Sequence, residues 1–174
     1  SMANRREYEI AFVGLKPGKH EFVYEIDQKF FADNTSLDFT DPHVTVKLIL
    51  DKKPSFLMLK FEVGGTVKLL CDLCGNELVT NLWDDFEMLV KMVDNPDEMN
   101  ADEEDPDVYY ISRTESHIDV KNWLYEFITL SIPLQHTCPN KPDGSSGCNQ
   151  EALDMLKKTE PNNKGKRKPD LERS

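Results

Sequence analysis

The chain has 174 residues and a formal net charge of -11 at pH 7, from 32 Asp and Glu against 21 Lys and Arg. Bulk electrostatics of that sign exclude a protein that coats nucleic acid with its whole surface, because a phosphate backbone is repelled by it. A content of 39% hydrophobic residues suits one ordinary domain with a real core, and no apolar run approaches the roughly 18 residues of a membrane span. The opening SMANRREYEI lacks the apolar stretch of a secretory signal, and Ser1 reads as a residue left by tag removal, so a soluble, cytoplasmic protein is expected.

In chain order, YEIAFV at 8 to 13 and KHEFVYEI at 19 to 26 read as short strands around the turn GLKPG, with Phe22, Tyr24 and Ile26 on one face of the second. DQKFFADN predicts a brief helix, followed by a polar loop to Pro42. The clearest strand is VTVKLIL at 44 to 50, with Val44, Val46, Leu48 and Leu50 on one face. DKKPS is a hairpin loop, and FLMLKFEV at 56 to 63 then points Leu57, Leu59, Phe61 and Val63 to one side. Gly64 and Gly65 either close another hairpin or let one long strand bend toward the cysteines, and the bend is the reading taken.

After the turn CDLCGN, ELVTNLWDDFEMLVKMV resumes the alternation, with Phe86, Met88, Val90 and Met92 opposite Glu87 and Lys91. Residues 94 to 107 carry eight carboxylates, no Lys or Arg and two prolines, which predicts a mobile acidic loop. VYYIS at 108 to 112 is one more strand. SHIDVKNWLYEFITLSIP is the best helix: Ser116 with Asp119 matches a capping box, and Val120, Trp123, Leu124, Phe127 and Ile128 form a stripe before Pro133. CNQEALDMLKKT suggests a short final helix, and residues 160 to 174 a disordered tail with Lys164, Lys166, Arg167 and Lys168 clustered. The expected architecture is α+β: one domain over residues 2 to 159, a mostly antiparallel sheet or split-barrel-like arrangement with one main packed helix.

Chemistry concentrates in the cysteines. Cys71 and Cys74 form C-x2-C, and Cys138 and Cys148 follow 63 residues later as C-x9-C. A C-x2-C turn aims two sulfurs at one point, Gly75 supplies a positive φ, and a second pair completes a tetrahedron. A structural zinc on all four is the reading taken, with His136 as a substitute ligand if Cys138 or Cys148 faces away. Three alternatives stay open. A thioredoxin-like couple would need the CxxC to open a helix, whereas both flanks read as strand; disulfides would suit an exported chain; and the four thiols could be unrelated core residues. His20, His43 and His117 read as surface or satisfied side chains.

The chain has no P-loop, GxGxxG after a strand, HExxH or GxSxG. The acidic spacing does not fit an EF-hand. Trp83, Phe86 and Trp123 fall at core periodicities, so core is their first reading and a base-stacking platform the second.

The stretch VGGTVKLLCDLCGNELVTNL, the acidic segment after it and the helix ending in ITLSIPLQHTCPNKPDGSSGC together resemble the YceD family, the large ribosomal RNA subunit accumulation proteins. The likeness spans roughly residues 8 to 155 and is carried by the CxxC strand with Glu126, Leu130, Pro133 and Cys138. It implies a role in 23S rRNA accumulation or processing and large-subunit assembly, with no known catalytic activity. Leu73 departs from the Arg common before the second cysteine, and an apolar side chain there cannot contact phosphate; Gly75 replaces a frequent Leu. The implied partner is 23S rRNA or a large-subunit precursor; the basic cluster Lys164, Lys166, Arg167 and Lys168 reads either as its RNA contact or as a simply solubilising end, and a ribosomal protein is the further partner considered. No membrane and no small-molecule substrate is expected. An acidic adaptor for a basic partner and a thiol-disulfide oxidoreductase are the competing functions.

Overall fold

The computed structural model describes residues 6 to 33 and 37 to 158. Its strands are β1 (Glu9–Ile10), β2 (Gly18–Ile26), β3 (Thr40–Lys52), β4 (Phe56–Leu70), β5 (Glu77–Val93), β6 (Val108–Ser112) and β7 (Ile118–Asp119). Its helices are α1 (Pro96–Asp102), α2 (Lys121–Leu130) and a helical run, α3, over 150 to 158. Five strands form one sheet in the order β2-β3-β4-β5-β6, and β1 pairs with β7 in a second, two-stranded sheet. The large sheet is open, so no split barrel closes; it is mostly antiparallel, with β6 parallel to β5. The described chain falls into two compact units, one of residues 6 to 33, 41 to 67 and 81 to 132, the other of 37 to 40, 68 to 80 and 133 to 158.

In the first unit the period-two pattern fixes the core. Val44, Val46, Leu48 and Leu50 of β3 and Leu57, Leu59, Phe61 and Val63 of β4 are all buried. β2 keeps register with β3 through Phe22 opposite Leu48, Tyr24 opposite Val46 and Ile26 opposite Val44. The loop between β3 and β4 closes tightly, with the Lys53 N–H donating to Phe56 O at 3.0 Å. Gly64 and Gly65 do not close a hairpin: β4 runs on to Leu70, bending through Gly65 at a φ of 124°. A Cβ at Gly65 would lie 2.1 Å from the carbonyl oxygen of His43, so only glycine lets the two backbones approach.

α2 covers this core with the stripe the sequence predicts. Val120, Leu124, Phe127 and Ile128 are buried. Phe127 stacks on Phe86 at 4.5 Å and meets Phe61 at 5.0 Å, while Trp123 sits edge-on to Tyr109 at 5.5 Å. The helix starts later than expected, because Ile118 and Asp119 are claimed by pairing with β1. Ser116 therefore does not cap it: its hydroxyl bonds to His117 Nδ1, and the Asp119 carboxylate accepts from the Lys121 N–H instead.

Three further expectations change. The strand read over residues 8 to 13 shrinks to β1 followed by a 3-10 turn at Phe12–Gly14. Residues 94 to 107 are not all loop: β6 runs parallel to β5, such a pair needs a crossover of about a dozen residues, and α1 forms within it. Pro96 opens that helix, and Asp97 and Glu98 in its first turn complement the helix dipole. Asn100 then clamps β6, accepting from the Tyr110 N–H at 2.8 Å and donating to Tyr110 O at 2.9 Å, and the Tyr110 hydroxyl donates to Glu103. Finally, Trp83 is not core. Leu82 takes the inward position on β5, and alternation turns Trp83 outward, 93% exposed.

Candidate metal centre

The second unit gathers all four cysteines. β4 ends at Leu70 and β5 begins at Glu77, so the CxxC forms the turn between them. The Cys71 N–H donates to Asn76 O at 2.8 Å, the Gly75 N–H donates to Cys71 O at 3.0 Å, and Gly75 takes a φ of 77°. This turn places Cys71 and Cys74 side by side with backbone N–H groups directed at their sulfurs.

The opposite half comes from residues 136 to 148. His136 and Asp72 latch it to the turn: the Asp72 N–H donates to His136 O at 2.8 Å, and the His136 N–H donates to the Asp72 carboxylate at 2.9 Å. The His136 ring bonds through Nδ1 to Leu70 O at 2.5 Å, which occupies it away from the sulfurs. His136 is thus a fastener of the loop and lies outside the cysteine cluster, so the substitute-ligand option does not arise. Between the second pair of cysteines the loop folds back on itself. The Lys141 N–H donates to Ser145 O, Asp143 accepts from the Ser145 N–H and hydroxyl, and Gly144 adopts a φ of 86°. At Gly147 a Cβ would stand 2.1 Å from Pro139 O, so the close return of the chain that delivers Cys148 requires glycine.

Cys71 Sγ lies 3.6 Å from Cys148 Sγ, Cys74 Sγ lies 3.6 Å from Cys138 Sγ, and all four sulfurs lie within 4.8 Å of one another. No disulfide joins them. A tetrahedral ion with metal–sulfur bonds of about 2.3 Å needs sulfurs about 3.8 Å apart, and bonded sulfurs stand about 2.05 Å apart. The spacing matches coordination. The donors are all cysteine sulfur, which as thiolate is the chemistry that soft and borderline ions such as zinc prefer, and Cys71 is buried while the other three are half-buried.

Electrostatics within the cluster divide the four thiols. Burial pushes Cys71 up, but the N–H groups of Cys74, Leu73 and Cys138 and the thiol of Cys148 outweigh it and hold the group near about 6. Cys74 is also lowered: burial opposes ionisation there, and the N–H groups of Asn149 and Asn76 overcome it. Cys138 is pushed up to about 12 by burial and by the neighbouring sulfurs. Four packed thiolates would need a cation to offset their mutual repulsion, a charge that a bound metal ion would supply.

Among the other histidines, His20 Nε2 bonds to Lys16 O, His43 Nε2 to Asp41, and His117 to Ser116, as satisfied surface groups. Lys164, Lys166, Arg167 and Lys168 lie outside the described residues. No helix among the described residues is long and apolar enough to cross a membrane.

A protein-family model described as "Large ribosomal RNA subunit accumulation protein YceD" matches residues 59 to 173. The match starts within β4, later than the likeness read from residue 8, and includes all four cysteines and the basic cluster of the tail. No curated protein and no solved structure matches the chain.

Proposed function

The chain belongs to the YceD family of large ribosomal RNA subunit accumulation proteins, and from that premise we propose that it is a non-catalytic cytoplasmic factor supporting 23S rRNA accumulation or processing and assembly of the large ribosomal subunit. In this reading Cys71, Cys74, Cys138 and Cys148 hold one structural zinc ion, and Lys164, Lys166, Arg167 and Lys168 contact RNA. The observation that carries the metal half is the approach of four sulfurs to within 4.8 Å inside the matched stretch. When bound, the ion would fasten the 71–74 turn to the 138–148 loop. Four protein ligands leave no open position for a substrate, so the role is architectural. The β5 strand that follows the CxxC gives its thiols no helix N-terminus, which argues against a thiol-disulfide oxidoreductase.

The functional half is tested in the source cell. Depletion of the protein is expected to lower the ratio of 23S to 16S rRNA, and re-expression of the wild-type chain, but not of Cys71→Ser, to restore it. An unchanged ratio after depletion would end the ribosomal reading. A second reading, an adaptor for a basic ribosomal protein, is favoured by the net charge of -11 and by the acidic segment around α1. Pull-downs from nuclease-treated extract separate the two, because an adaptor keeps its partner when RNA is destroyed.

A further inference from the structure

Trp83 is 93% exposed on β5, and its position is imposed: its neighbour Leu82 is buried in the core, so alternation directs the indole outward. It lines a hollow of about 500 Å³ on the outer face of the sheet, with Lys47 of β3, Lys60 and Glu62 of β4, and Asp84 and Asp85 beside it. Gly64 also lines the hollow and has nothing within 4 Å of where a Cβ would stand, which leaves open space there.

Charge decides what this hollow suits. Three carboxylates face two lysines, and the Lys47 ammonium is already 3.8 Å from Glu21, which lies outside the hollow. Among the described residues no Lys or Arg forms an ion pair with Glu62, Asp84 or Asp85. A nucleic-acid strand stacking on Trp83 would bring its phosphates against these carboxylates and a chain of net charge -11. A guanidinium has the complementary properties: it is planar, it stacks on an indole face, and it bonds carboxylates through two parallel N–H groups.

We propose that Trp83, with Glu62, Asp84 and Asp85, forms a docking site for an arginine-bearing segment of a basic protein partner. The site is independent of the ribosomal reading, since purified protein alone tests it and a failure of either leaves the other standing.

The test titrates the full chain into fluorescein-labelled nona-arginine by anisotropy at about 0.1 M salt, with nona-lysine and oligouridylate as parallel probes. Trp83→Ala is expected to weaken nona-arginine binding by about tenfold, and Trp83→Phe by less, as a weaker π face would. The double variant Asp84→Asn/Asp85→Asn is expected to weaken binding and to flatten its salt dependence. Asp33→Asn/Glu115→Gln, two exposed carboxylates outside both the hollow and the acidic segment, should stay within about twofold of wild type, against the tenfold of a cation–π contact. Because Trp83 is exposed, its variants should unfold at the wild-type midpoint, which separates lost docking from lost structure. Three results would each overturn the proposal: undiminished binding by Trp83→Ala, an equal loss in Asp33→Asn/Glu115→Gln, or oligouridylate binding that Trp83→Ala abolishes.

Discussion

Replacing Cys71 by serine removes the most buried of the four sulfurs, the one that contacts Cys148 at 3.6 Å and receives the Cys138 N–H at 3.4 Å. A serine hydroxyl does not ionise near neutral pH and is a poor ligand for a soft or borderline ion. Structural zinc sites release about 10–16 kcal/mol on binding, and an equal share for each of four sulfurs is about 2.5–4 kcal/mol. The variant should therefore bind the ion roughly a hundred- to a thousandfold more weakly. Competition against a chromogenic chelator reads that ratio directly. Hydrogen exchange reads its structural consequence: the Cys71 and Asp72 amides, bonded to Asn76 O and His136 O, should lose protection in the variant, as they should in wild type treated with chelator. Affinity within about threefold of wild type, against the hundredfold expected, or wild-type protein that takes up no metal at all, would refute the reasoning.

Elsewhere the predictions concern packing and charge. Gly65→Ala should destabilise the fold by about 3 kcal/mol in urea unfolding, since it combines a positive φ with a Cβ placed against the His43 carbonyl; a change below about 1 kcal/mol would mean that β3 and β4 separate easily. Phe127→Ala deletes a ring packed on Phe86 and Phe61 and should cost about 3–5 kcal/mol by the same measurement. Glu103 is held below the usual carboxylate range chiefly by the Tyr110 hydroxyl, and Tyr110 is raised by the same bond. A depressed carboxylate stabilises the fold above its unfolded-state pKa, and that contribution is lost as pH falls through the folded-state value. In Tyr110→Phe, carbon-detected NMR titration should find the Glu103 midpoint moved up, and the variant's deficit in stability should shrink on acidification; an unmoved midpoint would show that the bond does not form.

Much of this was legible from residue spacing. The inward faces of β3 and β4 and the stripe of α2 follow from periods of two and 3.6, and each depends on side chains that are fully apolar at every inward position. Gly64 and Gly65 marked a bend in one long strand, although only the approach of His43 O explains why the second must be glycine. The cysteine pairs were legible as a cluster because a C-x2-C turn can direct its sulfurs only to a common point. What sequence missed came from tertiary competition. The capping pattern at Ser116 lost to β1–β7 pairing, since Asp119 could pair in the strand and still accept from the Lys121 N–H at the start of the helix. The helix within 94 to 107 follows from the parallel placement of β6, which nothing local in a run of carboxylates announces. Trp83 read as core because it falls with Phe86 and Trp123 at core periodicities, and its size says nothing about which side of the strand it takes. The Asp72–His136 latch gave no signal, being a pairing across 64 positions of otherwise ordinary loop residues.

The most direct measurement is X-ray absorption at the zinc edge on protein purified without chelator. The account predicts one zinc per chain with a single shell of four sulfurs at about 2.3 Å. A shell containing nitrogen or oxygen, or metal-free protein whose Cys71–Cys148 or Cys74–Cys138 pair proves to be a disulfide, would contradict it.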